Sequence, residues 1–153
     1  MIKDSGARRE FKTGAVRDIQ DGKGRCDLLP IDIVGEYGNI PCLVALDGFI
    51  HGGDLSCIWD AFKLFAIEVF GDIQTALLET SIHYEEGAKK YQERNWEKGI
   101  DLYCYLDSGI RHCLKYYRGD TDERHDRAFC WNMIGALWTI KNKTECIVLS
   151  APK

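Results

Sequence analysis

Apolar residues recur along this chain mostly at helical spacing, and Gly, Asp and Pro punctuate the runs. Ile73, Leu77, Thr80, Tyr84, Ala88 and Tyr91 fall on one face and predict a helix over about 73–92, behind the break and cap at Gly71-Asp72. Leu102, Tyr105, Leu106, Ile110, Cys113, Leu114 and Tyr117 predict a second over 102–118, with Asp101 as its cap and Gly119-Asp120-Thr121 as its end. Trp131, Ile134, Leu137 and Trp138 belong to a third, over 122–140. Upstream, Pro30 suits the first turn of a helix over 31–37, and Asp54 is placed to cap one over 55–69. Residues 42–50 read equally as helix or strand. The expected fold is mainly α: an extended, irregular N-terminal arm over 1–27, then a single helical domain over 28–153 built as a bundle. Residues 93–100 read as a loop, and the tail after 141 reads as loose.

Charge divides the chain unevenly. Residues 28–80 carry one basic residue, Lys63, against eight acidic ones, whereas 81–153 carry twelve Lys and Arg against eleven Asp and Glu. A net charge of −4 argues against general duplex nucleic-acid binding. No apolar run approaches the ~18 residues of a membrane span, and no signal-peptide core opens the chain, so an intracellular, soluble protein is expected. Seven cysteines lie scattered without a C-x-x-C pair. That fits reduced, mostly buried thiols better than a zinc ribbon or a disulfide framework.

The chemistry concentrates in residues 83–96, where His83, Glu85, Glu86, Lys89, Lys90, Tyr91 and Trp96 share little more than three turns. Glu79, His83, Glu86 and Lys90 share one helical face, and Asp122 and Asp126 share another at i, i+4. Two helices offering such groups inward make an oxygen cage for Mg²⁺ or Mn²⁺; the same spacing also serves a solvated helix face. Lys23 and Arg25 sit between glycines in Asp21-Gly22-Lys23-Gly24-Arg25, where backbone amides can approach an anion, although the P-loop pattern is absent and a solvated arm has the same sequence. Arg111, Lys115 and Arg118 form a basic stripe at i, i+4, i+7, which is also the pattern of a wet helix face. Trp96 is placed to stack on a base or to plug the bundle.

Three blocks together resemble the dATP/dGTP diphosphohydrolase domain family of phage and prophage genomes, which includes the MazZ enzymes and is related to MazG-like all-α pyrophosphohydrolases. They are Thr13–Asp18 with Gly22–Pro30; His83–Tyr91 with Asn95-Trp96 and Lys98-Gly99; and Arg111-His112 followed by Arg118–Asp120, Asp122-Glu123, His125-Asp126 and Trp131-Asn132. The resemblance implies a MazG-like helical bundle. It also implies hydrolysis of a purine deoxynucleoside triphosphate to monophosphate and pyrophosphate, with Mg²⁺ or Mn²⁺, by a homo-oligomer in the bacterial host cytoplasm. On that basis Glu86, Asp126 and Glu123 are expected to be catalytic, and Glu79, His83, Glu86, Asp122 and Asp126 to hold the metal. Arg17, Lys23, Arg25, Lys90, Trp96, Arg111, His112 and Asn132 are expected to bind substrate. Glu123-Arg124-His125-Asp126 fits the E-x-x-D of MazG-like enzymes, but no E-x-x-E stands on the 73–92 helix. A nucleotide-sequestering phage protein without catalysis is the alternative.

Overall fold

In the computed structural model, which describes residues 2–150, a hairpin of β1 (Arg8–Glu10) and β2 (Val16–Asp18) precedes six helices. These are α1 (Ile31–Tyr37), α2 (Pro41–Gly52), α3 (Ser56–Phe70), α4 (Ile73–Lys90), α5 (Leu102–Arg118) and α6 (His125–Asn142), with 3-10 turns at Cys26–Leu28, Asn95–Lys98 and Thr144–Cys146. The mainly α expectation holds. The ambiguous 42–50 run is helical. Pro41 opens it at a position that needs no amide, and Gly53, at φ +71°, closes it in the left-handed region. Asp72 caps α4 by accepting the Thr75 amide at 2.6 Å.

Helix α6 is central. It packs against α3, α4 and α5, while α2 lies on α3 and α1 on α2. The α5–α6 approach depends on two glycines. A Cβ at Gly109 would lie 2.6 Å from the Met133 terminal methyl, and one at Gly135 would overlap the Tyr105 ring. Tyr103, Tyr105, Phe62, Phe65 and Phe129 are among the largest fully buried side chains. All seven cysteines are free thiols, five of them buried. No helix among the described residues is long and apolar enough to cross a membrane.

Four local expectations are corrected. The arm contains an antiparallel hairpin with Arg9 opposite Arg17, and its Phe11 and Ala15 join the same core cluster as the helices. Helix α6 begins at His125, not 122, so Asp122 and Asp126 do not share a helical face. The Asp122 carboxylate instead takes a bond from His125 Nε2 at 2.7 Å and one from Lys3 at 3.2 Å. Asp101 does not cap α5 through its side chain, because the Tyr103 amide is taken by the Val148 carbonyl at 2.8 Å. That same bond ties down the tail, and Cys146 in it is buried.

Buried Asn95 fastens the hairpin. Its side-chain oxygen accepts the Val16 amide at 2.8 Å and its amide donates to the Val16 carbonyl at 2.7 Å, which completes the outer edge of β2 as another strand would. Asn95→Ala is expected to lower stability by about 1–3 kcal/mol by stranding both groups. Urea unfolding followed by circular dichroism checks this, and an unchanged midpoint would contradict the role given to Asn95.

Candidate functional site

The arm with its hairpin, α4, α5 and the Trp131-Asn132 stretch of α6 enclose a cavity of about 380 Å³, within the range of small-molecule sites. Its wall carries eight Lys and Arg residues against four Asp and Glu, so its field favours an anion. Tyr84, Tyr91, Trp96 and Trp131 supply apolar faces.

Arg17 is the central cation. Register places it on β2, and its guanidinium carbon lies 5.5 Å from the Tyr105 ring centre and 5.4 Å from that of Trp131. One terminal nitrogen donates to Asn132 Oδ1 at 3.4 Å, and the other is buried with no hydrogen-bond partner. A buried donor left unsatisfied costs about 1–3 kcal/mol, more when charged, so this nitrogen calls for an acceptor. Asn132 is itself oriented by donating to the Ala128 carbonyl at 2.8 Å.

The glycine-flanked loop bends inward because Arg111 and Asp107 grip it. Arg111 donates to the Gly24 carbonyl at 2.8 Å and to that of Lys23 at 3.3 Å. Asp107, only 3 % exposed, accepts the Cys26 amide at 2.6 Å and Gln20 Nε2 at 2.8 Å, besides Arg111 itself. Gly22 and Gly24, at φ +77° and +83°, permit the bend. Lys23 thereby reaches the cavity wall beside Asp18, with 3.0 Å between them. Lys90 lines the wall as well and donates to the Lys3 carbonyl at 2.6 Å.

Of the residues expected to meet substrate, Arg17, Lys23, Lys90, Trp96, Arg111, His112 and Asn132 line this one cavity, as do His83 and Glu123. Arg25 does not; it is paired with Asp27 at 2.6 Å and lies over Tyr103. Glu79 and Asp126 come together, but through guanidinium groups. Arg124 donates to both, at 3.5 Å to Glu79 and at 2.9 and 2.8 Å to Asp126, and Arg127 donates to Glu79 at 2.8 Å. Burial would raise the Asp126 pKa, but bonds from Arg124 and the Arg127 amide outweigh it and hold the carboxyl below its usual value. Glu86 is half-buried on α4, outside the cavity wall.

Among the described residues, the groups of three metal-type side chains are His112–Glu123–His125 and Asp120–Asp122–His125. Glu79, His83, Glu86 and Asp126 belong to neither. In the first group His112 Nδ1 lies 2.9 Å from His125 Nδ1 and 4.0 Å from Glu123. Burial, then His125, pushes the His112 pKa well below 6.5. His125 and Trp131 stand in the resemblance blocks, but neither they nor Asp107 and Tyr105 were among the expected site residues. The one available signal for His125 was Asp122 three residues before it, and for Asp107 a carboxylate inside the apolar run 102–110.

A family model described as dATP/dGTP diphosphohydrolase, N-terminal, matches residues 62–147. No curated protein and no solved structure matches the chain. The matched stretch contains α4 to α6 and the His112–Glu123–His125 group, and it excludes the hairpin that carries Arg17.

Burial first, then Arg17 and Arg127, lowers the His83 pKa from 6.5 to about 4. The unfolded chain therefore takes up a proton between those values that the folded chain refuses, and stability falls as pH falls through that window. His112 acts in the same direction. Urea unfolding at pH 7 and pH 4.5 should show this loss, and His83→Gln should reduce it. An unchanged pH slope in that variant would contradict the assignment.

Proposed function

The chain belongs to the dATP/dGTP diphosphohydrolase N-terminal family, and from that premise we propose that it hydrolyses purine deoxynucleoside triphosphates to monophosphate and pyrophosphate in the Arg17 cavity. The observation that carries this reading is the buried, unpartnered guanidinium nitrogen of Arg17 inside a basic, aromatic-walled cavity. Arginine suits phosphate because its planar fork presents several donors at once.

The reaction breaks the bond between the α-phosphorus and the α,β-bridging oxygen and forms one from water oxygen to the α-phosphorus. Pyrophosphate leaves and the water protons pass to the site or to solvent. Such a transfer depends on positioning and charge neutralisation. Arg17 supplies a fixed donor that costs no reorganisation, since Tyr105, Trp131 and Asn132 already hold it. Lys23 and Lys90 add charge around it. Trp96 stands edge-on to Tyr84, with 5.8 Å between ring centres, and together with Trp131 they form an apolar wall for a purine. Arg111 grips the loop backbone from Lys23 to Gly24 and so positions Lys23.

The divalent cation implied by the resemblance fits the His112–Glu123–His125 group, where a carboxylate and two imidazoles offer ligand atoms within 4.8 Å of one another. The Glu79–Asp126 region fits less well, because guanidinium groups already use its oxygens. When bound, the cation would neutralise phosphate charge and acidify water. Exposed apolar side chains on α1 to α3, among them Ile33, Tyr37, Val44, Leu64 and Ile67, support association of copies.

Incubating the chain with dGTP or dATP and Mn²⁺ or Mg²⁺ should yield monophosphate and pyrophosphate by ion-exchange chromatography. Unchanged nucleotide that co-elutes with the protein would contradict hydrolysis and mark a sequestering protein instead. Arg17→Ala should lower kcat/KM by about 10–100-fold, the loss of a hydrogen bond to a charged group. Equal activity in a folded variant would remove Arg17 from the site.

A further inference from the structure

The junction of α5 with the start of α6 holds an arrangement that phosphate binding does not require. His112 and His125 turn their Nδ1 atoms toward each other at 2.9 Å. Two imidazole nitrogens at that separation share either a proton or an ion. The spacing matches neighbouring ligands of one cation, about 3.0 Å apart when each bond is about 2.1 Å and the angle a right angle. Glu123, with its side chain 13 % exposed, stands 4.0 Å from His112, and a carboxylate so withdrawn from water calls for a cation.

The outer groups orient this set. His125 is 2 % exposed and gives its Nε2 proton to Asp122 at 2.7 Å, which leaves the Nδ1 lone pair facing His112. A carboxylate behind an imidazole in this way is the usual support of a metal-binding histidine, fixing its tautomer and ring direction. Lys3 holds the other Asp122 oxygen at 3.2 Å. The second group, Asp120–Asp122–His125, is already spoken for. Asp120 takes two bonds from Arg118, and Asp122 is occupied by His125 and Lys3.

We propose that His112, His125 and Glu123 form a two-imidazole, one-carboxylate centre for a divalent transition-metal ion, with Asp122 as its outer support. Its use on nucleotide rests on the hydrolase reading above; its existence does not. Imidazole donors favour first-row transition metals, whereas Mg²⁺ prefers oxygen alone and keeps its waters. The centre therefore takes Mn²⁺ in preference to Mg²⁺. The preference rests on the two histidines, which lie on different helices brought together by the close α5–α6 packing at Gly109 and Gly135.

The test uses the full chain, stripped with a chelator and then given Mn²⁺ alone, without nucleotide. Electron paramagnetic resonance should count one bound Mn²⁺ per chain, and its spin-echo signal should carry the modulation of directly bound imidazole nitrogen. A ~100-fold excess of Mg²⁺ should leave that signal in place. Glu123→Gln should weaken Mn²⁺ binding, and so should Asp122→Asn, which acts at a partly exposed position and serves if the first variant does not fold; the expected loss is ~10–100-fold. Absence of nitrogen modulation, displacement by equimolar Mg²⁺, or native affinity in both folded variants would overturn the centre. Hydrolysis supported by Mg²⁺ without nitrogen-bound Mn²⁺ would remove the centre and leave the hydrolase reading. Nitrogen-bound Mn²⁺ without hydrolysis would do the reverse.

Discussion

A guanidinium laid over two aromatic rings, with one nitrogen buried and unanswered, is the constraint on which the site depends. Arg17 reaches that position only because the hairpin is bonded to Asn95 on one side and its ring platform, Tyr105 and Trp131, comes from α5 and α6 on the other. Close packing of those two helices at Gly109 and Gly135 sets the platform. The hairpin is therefore part of the cavity wall, and the cavity exists because two layers separated by about eighty residues of sequence meet at Val16 and Asn95.

Division of charge follows from the same geometry. The acidic stretch 28–80 builds α1 to α3, away from the cavity, whereas Lys3, Arg9, Arg17 and Lys23 of the arm, Lys90 of α4 and Arg111 and Lys115 of α5 line it. The carboxylates that remain in the cavity wall are mostly committed. Asp4 holds Arg8, Asp18 holds Lys23, and Asp107 grips Arg111 and the loop behind it. Glu123 differs, because its neighbour is an imidazole.

Helical periodicity made most of the bundle legible, since α3 and α5 each bury an apolar stripe, and Gly71-Asp72, Asp101 and Gly119 mark where helices end and begin. The hairpin was not legible, because strands of three residues between glycines carry no period and are held by a side chain far along the chain. The start of α6 was misplaced for a similar reason: Asp122 is drawn off the helix by His125 and Lys3, partners that spacing does not reveal. The resemblance, more than charge or spacing, singled out Arg17, Lys23, Lys90, Trp96, Arg111, His112 and Asn132, which line one cavity. Neither it nor the spacing showed that Arg25 would be neutralised by its neighbour Asp27, or that Arg124 and Arg127 would occupy Glu79 and Asp126. His125 pairs with His112 across two helices, a relation no local pattern encodes.

The most direct test of the account is a crystal structure of the full chain with the non-hydrolysable α,β-methylene analogue of dGTP. The account predicts a phosphate oxygen within hydrogen-bond distance of the now unpartnered Arg17 nitrogen and the purine against Tyr84, Trp96 and Trp131. A nucleotide bound elsewhere, with the Arg17 cavity empty at saturating ligand, would contradict it.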